Sequence, residues 1–280
     1  MKEIKSNIRW AGGKSKMIPI LDKYMPTKIY NYLEIFTGGA SVLLHVIQKY
    51  KPQQVIANDI NSNLINYYKN VQNNSESIIS KCKEIKEKYN KDSFKEKFDK
   101  LDIKKAEEFF IKNKTSFSGL NTTYSPLAYD KNFTYNSIKN IKDISNVIQQ
   151  VNFINQDFKD IKKEIKDFFI YLDPPYYSNS KKGLYGEKGK LHKDFDHIAL
   201  YEWIEKNKEH NKIMISYDDC QYIRELYKDY YIYDFNFYYS MTNVGGNECK
   251  IGKEIVITNY DINKQNGEQL SIFDILWEEK

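Results

Sequence analysis

Apolar residues recur along the chain in two rhythms. Short, nearly continuous apolar runs at 29–36, 54–59, 151–157, 168–173, 212–217 and 254–260 read as buried strands, each bounded by turn-forming or charged residues. Helical spacing follows the first two runs, at Ser41–Tyr50 after Thr37-Gly38-Gly39-Ala40 and at 62–72 after Asp59. Strand, turn, helix, repeated, is the βα alternation of a parallel sheet. From about residue 73 the alternation stops. Lys/Glu-rich helical segments at 76–89 and 94–112 lead into a polar, aromatic stretch up to 146, and the strands resume at 151. The pattern predicts an α/β, Rossmann-like domain of residues 1–65 and 148–262, interrupted by a mainly helical, hairpin-bearing insert at 66–147. The Gly-, Lys- and Ser-rich segment 177–194 is long enough to serve as a lid or a ligand-contacting loop. Residues 263–280 read as an appended tail.

Composition agrees with a folded domain. Apolar residues at 41% and aromatic residues at 15% are too many for a disordered chain, despite 29% charged residues. The three cysteines, Cys82, Cys220 and Cys249, are odd in number and far apart, so neither a disulfide framework nor a zinc site is expected, and a reducing cytoplasm fits best. The first residues, Met1-Lys2-Glu3-Ile4-Lys5, are charged, and no apolar run approaches the ~20 residues that cross a bilayer, so neither secretion nor membrane insertion is expected. The net charge of +5 is too small to name a partner by itself. Its distribution is more telling, because 112–142 holds five lysines and one aspartate among Phe117, Tyr124, Tyr129, Phe133 and Tyr135. That mixture fits either a nucleic-acid surface or a solvated segment with buried aromatics. Arg9 and Arg224 are the only arginines, so lysine runs weigh less here than in an ordinary composition.

In an open parallel sheet, ligands collect beyond the carboxyl ends of the strands. Four predicted strands present Gly38-Gly39, Asp59, Asp157 and Asp173 there. Asp59 follows the glycine turn at the spacing of a carboxylate that accepts both ribose hydroxyls of an adenosine cofactor, although an Asp at that place could also merely cap the next helix. Asp173-Pro174-Pro175-Tyr176 is more specific. Two prolines end the strand and stiffen the chain, which aims a carboxylate and a carbonyl at one ligand. An aromatic amine such as N6 of adenine is a poor nucleophile. Two acceptors on its two hydrogens, the Asp173 carboxylate and the Pro174 carbonyl, would favour a pyramidal nitrogen whose lone pair is free to attack a methyl donor. Tyr176 would stack on a base swung out of its helix. His192 and His197 fit no general-base pattern and read as loop or packing residues.

These residues give the chain a family likeness. Arg9-Trp10-Ala11-Gly12-Gly13-Lys14, Glu34-Ile35-Phe36-Thr37-Gly38-Gly39-Ala40, Asn58-Asp59-Ile60-Asn61, Asn113-Lys114-Thr115-Ser116-Phe117-Ser118-Gly119-Leu120, Gln156-Asp157-Phe158 and Asp173-Pro174-Pro175-Tyr176-Tyr177 stand in one order over residues 6–260. In that order the chain resembles the Dam-type (alpha-class, D12) DNA adenine-N6 methyltransferases. The resemblance implies a class I methyltransferase sheet with an inserted target-recognition domain, acting on double-stranded DNA with S-adenosyl-L-methionine. It implies that Trp10, Lys14, Phe36, Gly38, Asp59, Asp157 and Asp173 bind the cofactor, and that Asp173, Pro174, Pro175 and Tyr176 form the catalytic centre. No metal is implied. DNA contacts fall to Asn113, Lys114, Ser118, Asn121 and Lys131. Ser118 stands where the family usually has Asn, and 121–140 lacks both arginine and the family's Pro-Phe-Gly element, so a GATC target is not expected. A cytosine-N4 methyltransferase would commonly carry Ser in place of Asp173, and an RNA or protein-glutamine methyltransferase Asn. A catalytically silent DNA-binding regulator would not need the full set.

The tail carries one further signal. Gln269-Leu270-Ser271-Ile272-Phe273 resembles the peptide by which bacterial DNA-associated proteins dock on the replication sliding clamp, with Gln269, Leu270 and Phe273 as anchors. Folding back of the same apolar residues as a terminal helix is the alternative. A cognate restriction endonuclease is a further possible partner, and the expected location is the cytoplasm, on nucleoid DNA.

Overall fold

The computed structural model describes residues 3–161, 165–177, 195–238 and 251–264. Its strands are β1 (Asn31–Glu34), β2 (Gln54–Asn58), β3 (Val151–Ile154), β4 (Phe169–Leu172), β5 (Lys212–Asp218), β6 (Tyr231–Tyr238) and β7 (Ile251–Thr258). They form one sheet in the order β3-β2-β1-β4-β5-β7-β6. Pairing is parallel between β2 and β3 and between β4 and β5; β7 runs antiparallel to both of its neighbours. The contacts of the chain divide it into two compact units, Met1–Ile18 with Leu33–Asp160, and Pro19–Tyr32 with Ile161–Lys280.

In the first unit, the helix Ser41–Tyr50 buries Val42, Leu43, Leu44, Val46 and Ile47. The long helix Ser62–Lys88 begins where the Asn61 side chain accepts from the Leu64 amide, satisfying one of the orphan donors at a helix start. It leaves helical geometry at Asn74 (φ −135°, ψ 32°), so the segments expected at 62–72 and 76–89 are two halves of one kinked element. Tyr67 stacks on Phe110 and Tyr68 on Phe153, with ring centroids 5.9 Å and 5.3 Å apart, which seats the helix on Ala106–Thr115 and on β3. Tyr135–Val147 packs on its other side.

The polar, aromatic stretch, in an insert expected to be mainly helical with a hairpin, is itself largely helical. Ser125 caps Pro126–Asn132, with Pro at its first turn, and Thr134 and Ser137 form a capping box at the start of Tyr135–Val147. The hairpin reduces to one antiparallel bridge between Ser116 and Tyr124. These caps outweigh the polar composition because Tyr129, Phe133, Ile138, Ile141 and Ile144 fall on buried faces.

In the second unit, every residue of β4 is buried, as are 213–217 of β5, which is the pattern of central strands. The helix His197–Asn207, capped by the Asp196 side chain, buries Leu200, Trp203 and Ile204. That helix, the helix Gln221–Leu226 and strand β6 were absent from the pattern reading. Tyr231-Ile232-Tyr233-Asp234-Phe235 has no aliphatic run to mark it, yet it pairs along its whole length with β7.

One buried amide ties the strand ends of the first unit together. Asn58 Nδ2 donates to the carbonyls of Ile35 (3.0 Å) and Gln156 (3.1 Å), while its Oδ1 accepts from the Gln156 amide (3.0 Å). Asn58→Ala therefore leaves three backbone groups short of partners and should cost about 2–3 kcal/mol. Urea unfolding checks this: a lowered midpoint with unchanged slope is expected, and an unchanged midpoint contradicts it.

Candidate active site

The first unit gathers the residues expected around a cofactor. Gly38 sits at φ +46°, and a Cβ built there would lie 2.7 Å from Trp10 Nε1, so only glycine fits the turn against the indole. The Gly38 amide donates to Asp59 Oδ2 (2.9 Å), and the Asn61 amide donates to Asp59 Oδ1 (2.9 Å). The Tyr68 hydroxyl donates to the Gly38 carbonyl (2.9 Å). Burial pushes the Asp59 carboxyl above its ordinary value, and the two backbone donors pull the other way without cancelling it. Each carboxylate oxygen takes more than one donor, so Asp59 keeps acceptor capacity. Trp10 is half-buried, and its carbonyl accepts from the Gly13 amide (3.1 Å). Lys14 follows that turn, buried, with Nζ donating to the Gly12 carbonyl (3.0 Å). Phe36 is half-buried beside Phe158, with centroids 6.0 Å apart, and Asp157 is half-buried with Oδ1 accepting from the Lys159 amide (3.0 Å). Gly38 is thus packed against Trp10 and hydrogen-bonded to Asp59.

The residues expected to touch DNA divide into two kinds. Asn113 is fully buried, and its amide is engaged at both ends: Oδ1 accepts from the Arg9 amide, and Nδ2 donates to the carbonyls of Arg9 and Gly119, all at 2.9 Å. Gly119 (φ +75°) has room for no Cβ, which would lie 2.6 Å from Arg9. Ser118 (φ +51°) and Asn121 (φ +61°) also lie in the left-handed region, an uncommon concentration for non-glycine residues. Ser118 and Lys131 are exposed; Asn121 is half-buried, with no hydrogen-bond partner at Oδ1. Lys114 is buried with its ammonium 5.5 Å from the Phe110 ring centroid. Among the described residues no carboxylate faces it. Burial, and then the neighbouring Arg9 guanidinium, lower its pKa to about 8. Of the interleaved aromatics, Tyr129 and Phe133 belong to the core, whereas Phe117 and Tyr135 are exposed.

In the second unit, β4 ends at Leu172 and Asp173 follows at once. Asp173 Oδ1 accepts from the Ser216 hydroxyl (3.1 Å), and Ser216 Oγ lies 2.8 Å from the Tyr171 hydroxyl. Pro174 is buried and Pro175 half-buried. The Tyr176 hydroxyl donates to Glu254 Oε2 (2.9 Å), which anchors its ring from β7. Burial first, and then Asp173 and Glu254, hold that hydroxyl well above its ordinary pKa, so it remains a donor. Asp218 faces Glu254 across the β5–β7 register; its Oδ1 is buried with no hydrogen-bond partner, and burial raises the carboxyl to about 6. Tyr177 stacks on Tyr222 at 4.3 Å. His197 is buried in its helix, with Nδ1 2.9 Å from the Tyr217 hydroxyl, a packing residue and not a loop residue. Ser216, Tyr171 and Glu254 had escaped notice, although a polar residue inside an otherwise apolar strand is itself a signal. His192 and most of the 177–194 loop lie outside the described residues, as do Gln269, Leu270 and Phe273.

Strand order, with its reversed last-added strand, and the loops at the strand ends define a methyltransferase of the Rossmann-like α/β class. Residues 10–241 match the family described as D12 class N6 adenine-specific DNA methyltransferase, and the chain belongs to that family. It is an adenine-N6 DNA methyltransferase. Type II methyltransferase M.MjaIII of Methanocaldococcus jannaschii is 29% identical over 92% of this chain and 100% of its own length. Type II methyltransferase M1.LlaDCHI of Lactococcus lactis is 27% identical over 90% and 94%. A solved methyltransferase from Pyrococcus furiosus aligns over 90% of this chain and 86% of its own, at 13% identity and a TM-score of 0.40. The fold assignment rests on the strand order, not on that likeness.

Lys114 generates a prediction about pH. Its folded pKa of about 8 lies below the ordinary 10.5, so between those values the unfolded chain binds the proton and the folded chain does not. The burial penalty, about 3 kcal/mol, is full below pH 8 and fades as pH rises to 10.5. Lys114→Met should therefore be more stable than wild type at pH 7, with the gap closing over that window in urea unfolding. A gap that stays constant with pH contradicts the assignment.

Proposed function

We propose that the first unit holds S-adenosyl-L-methionine and that the second binds the exocyclic amine of an adenine swung out of double-stranded DNA. The residues present fit the cofactor's chemistry: a buried carboxylate with spare acceptor capacity at Asp59, a second carboxylate at Asp157, a cation at Lys14, and aromatic faces at Trp10 and Phe36. Asp59 would hold the ribose hydroxyls and Asp157 the cofactor adenine. Lys14 and Trp10 would frame the methionine end, while Phe36 and Gly38 line the pocket. When bound, S-adenosyl-L-methionine supplies a methyl group on a positively charged sulfur.

The observation that carries the second half is the seat of Asp173-Pro174-Pro175-Tyr176 directly after β4, with Asp173 and Tyr176 each anchored by a side chain of another strand. The Asp173 carboxylate and Pro174 carbonyl accept from the two amine hydrogens, which draws the nitrogen towards a pyramidal, nucleophilic geometry. Pro174 and Pro175 keep that pair of acceptors rigid, since neither can donate or rotate about φ. Tyr176, its hydroxyl fixed on Glu254, offers a ring face to the base. Preorganised acceptors of this kind need no covalent intermediate and contribute by orientation and charge.

Residues 66–147 would recognise the DNA target. Lys114, a buried cation with no carboxylate facing it among the described residues, suits a backbone phosphate, while Ser118, Asn121 and Lys131 suit base edges or neighbouring phosphates. Asn113 acts by fixing the Arg9 and Gly119 segments and not by touching DNA. With no arginine in 121–140, guanine would be read by Lys or Asn, and GATC is not the expected site. Relatives named Type II methyltransferases support a cognate restriction endonuclease as partner. The peptide at 269–273 supports docking on the sliding clamp, and an enzyme of this kind would work in the cytoplasm on nucleoid DNA. Among the described residues no helix is long and apolar enough to cross a membrane.

Two substitutions separate the halves. Asp173→Ala should reduce methyl transfer by about a thousandfold while DNA affinity stays within about threefold; retained turnover contradicts its role. Asp59→Ala should weaken S-adenosyl-L-methionine binding by about 10- to 100-fold in calorimetry, with DNA affinity preserved. Unchanged cofactor affinity would move the ribose contact elsewhere.

A further inference from the structure

We propose that Tyr171 and Ser216 form a hydroxyl relay that sets the orientation of the Asp173 carboxylate, which makes Ser216 a positioning residue for methyl transfer. The inference rests on the reading of Asp173 as the acceptor for the adenine amine.

Hydrogen-bond chemistry fixes the direction of the relay. An ionised carboxylate only accepts, so the 3.1 Å contact at Asp173 Oδ1 is a bond donated by Ser216. A serine has one hydroxyl hydrogen. At the 2.8 Å contact Ser216 Oγ must therefore accept, and the Tyr171 hydroxyl donates. The sequence Tyr171 to Ser216 to Asp173 has one polarity, and it ends on the residue next to Pro174.

The backbone explains why the three meet. Tyr171 and Asp173 are two residues apart along β4 and its continuation, so their side chains leave the same face. The parallel register pairs Leu172 with Ile215, which brings Ser216 of β5 level with Asp173. Tyr171 and Ser216 have no exposed surface, and both stand among buried neighbours along their strands. A buried hydroxyl in such a strand is costly unless bonded, and Ser216 spends both of its bonds on this relay. One carboxylate oxygen is thereby fixed and the plane of the carboxylate with it, before any substrate arrives. Preorganisation of this sort matters most to the reaction step, because small misplacements of a reacting group cost rate more than affinity.

The test uses the full chain with wild type, Ser216→Ala, Ser216→Thr, Tyr171→Phe and Asp173→Ala. Single-turnover methylation of a duplex carrying the enzyme's site is measured together with KM for S-adenosyl-L-methionine, DNA affinity and thermal melting. Ser216→Ala should lower the single-turnover rate by about 10- to 100-fold with KM and DNA affinity within about twofold, Ser216→Thr should recover most of the rate, and Tyr171→Phe should lose less than Ser216→Ala. A Ser216→Ala rate equal to wild type overturns the proposal, as does a loss that tracks KM or the melting temperature. Should Ser216→Ala fail to fold, Tyr171→Phe decides: a slowed reaction at unchanged KM supports the relay, and an unchanged rate overturns it. Turnover by Asp173→Ala would instead sink the reading of Asp173 itself, which keeps the two failures distinct.

Discussion

A buried carboxylate needs donors, and at Asp59 the donors are the backbone amides of Gly38 and Asn61. That requirement organises the carboxyl edge of the first unit. The Gly38 amide can reach Asp59 only from a left-handed turn closed against Trp10, which explains the glycine. The Asn61 amide reaches it where the long helix begins, and Asn61 then caps that helix through its own side chain. Immediately before Asp59, at the end of β2, Asn58 applies the same logic to the loops after β1 and β3. The result is a set of loop ends held by hydrogen bonds to side chains at fixed sequence positions, with little dependence on the apolar packing below them.

Each unit matches some of its buried polar groups and leaves others unmatched. Around Asp59, and around Tyr171, Ser216 and Asp173, buried polar atoms are matched donor to acceptor, which offsets part of the cost of burial and defines geometry. Lys114 differs: it is a cation under the surface, beside another cation, with no carboxylate facing it among the described residues. Asp218 in the second unit is similar, a carboxylate with a buried oxygen and no hydrogen-bond partner on it. Unmatched groups of this kind detract from stability, and here they stand at the end of the helix Ala106–Thr115 and at the end of β5.

Much of this was legible in the sequence. Six of the seven strands fall at or near the apolar runs in the order expected, with the ends of β1, β3 and β7 shifted by two or three residues, and the helix Ser41–Tyr50 matches its apolar spacing. The motif residues Gly38, Asp59 and Asp173 stand out in the sequence because the chemistry of the motifs restricts residue type. Strand β6 was missed because its aromatic residues do not form an aliphatic run, and helices Pro126–Asn132 and Tyr135–Val147 because their polar composition masked two clear capping signals. Ser216 and Glu254 were invisible for a different reason. Each is an ordinary residue in an apolar strand, and only the pairing of β4, β5 and β7 reveals what it touches. Asn113 looked like a DNA contact from its motif, yet its side chain is consumed by backbone groups more than a hundred residues upstream and six downstream.

The chemistry proposed for Asp173 and its neighbours is methylation of N6 of adenine in DNA. It is tested most directly by incubating the purified chain with isotope-labelled S-adenosyl-L-methionine and double-stranded DNA, digesting the DNA to nucleosides, and identifying the labelled one by mass spectrometry. The account predicts label in N6-methyldeoxyadenosine and in no other nucleoside. Label in N4-methyldeoxycytidine, or no label in DNA that contains the enzyme's site, would contradict it.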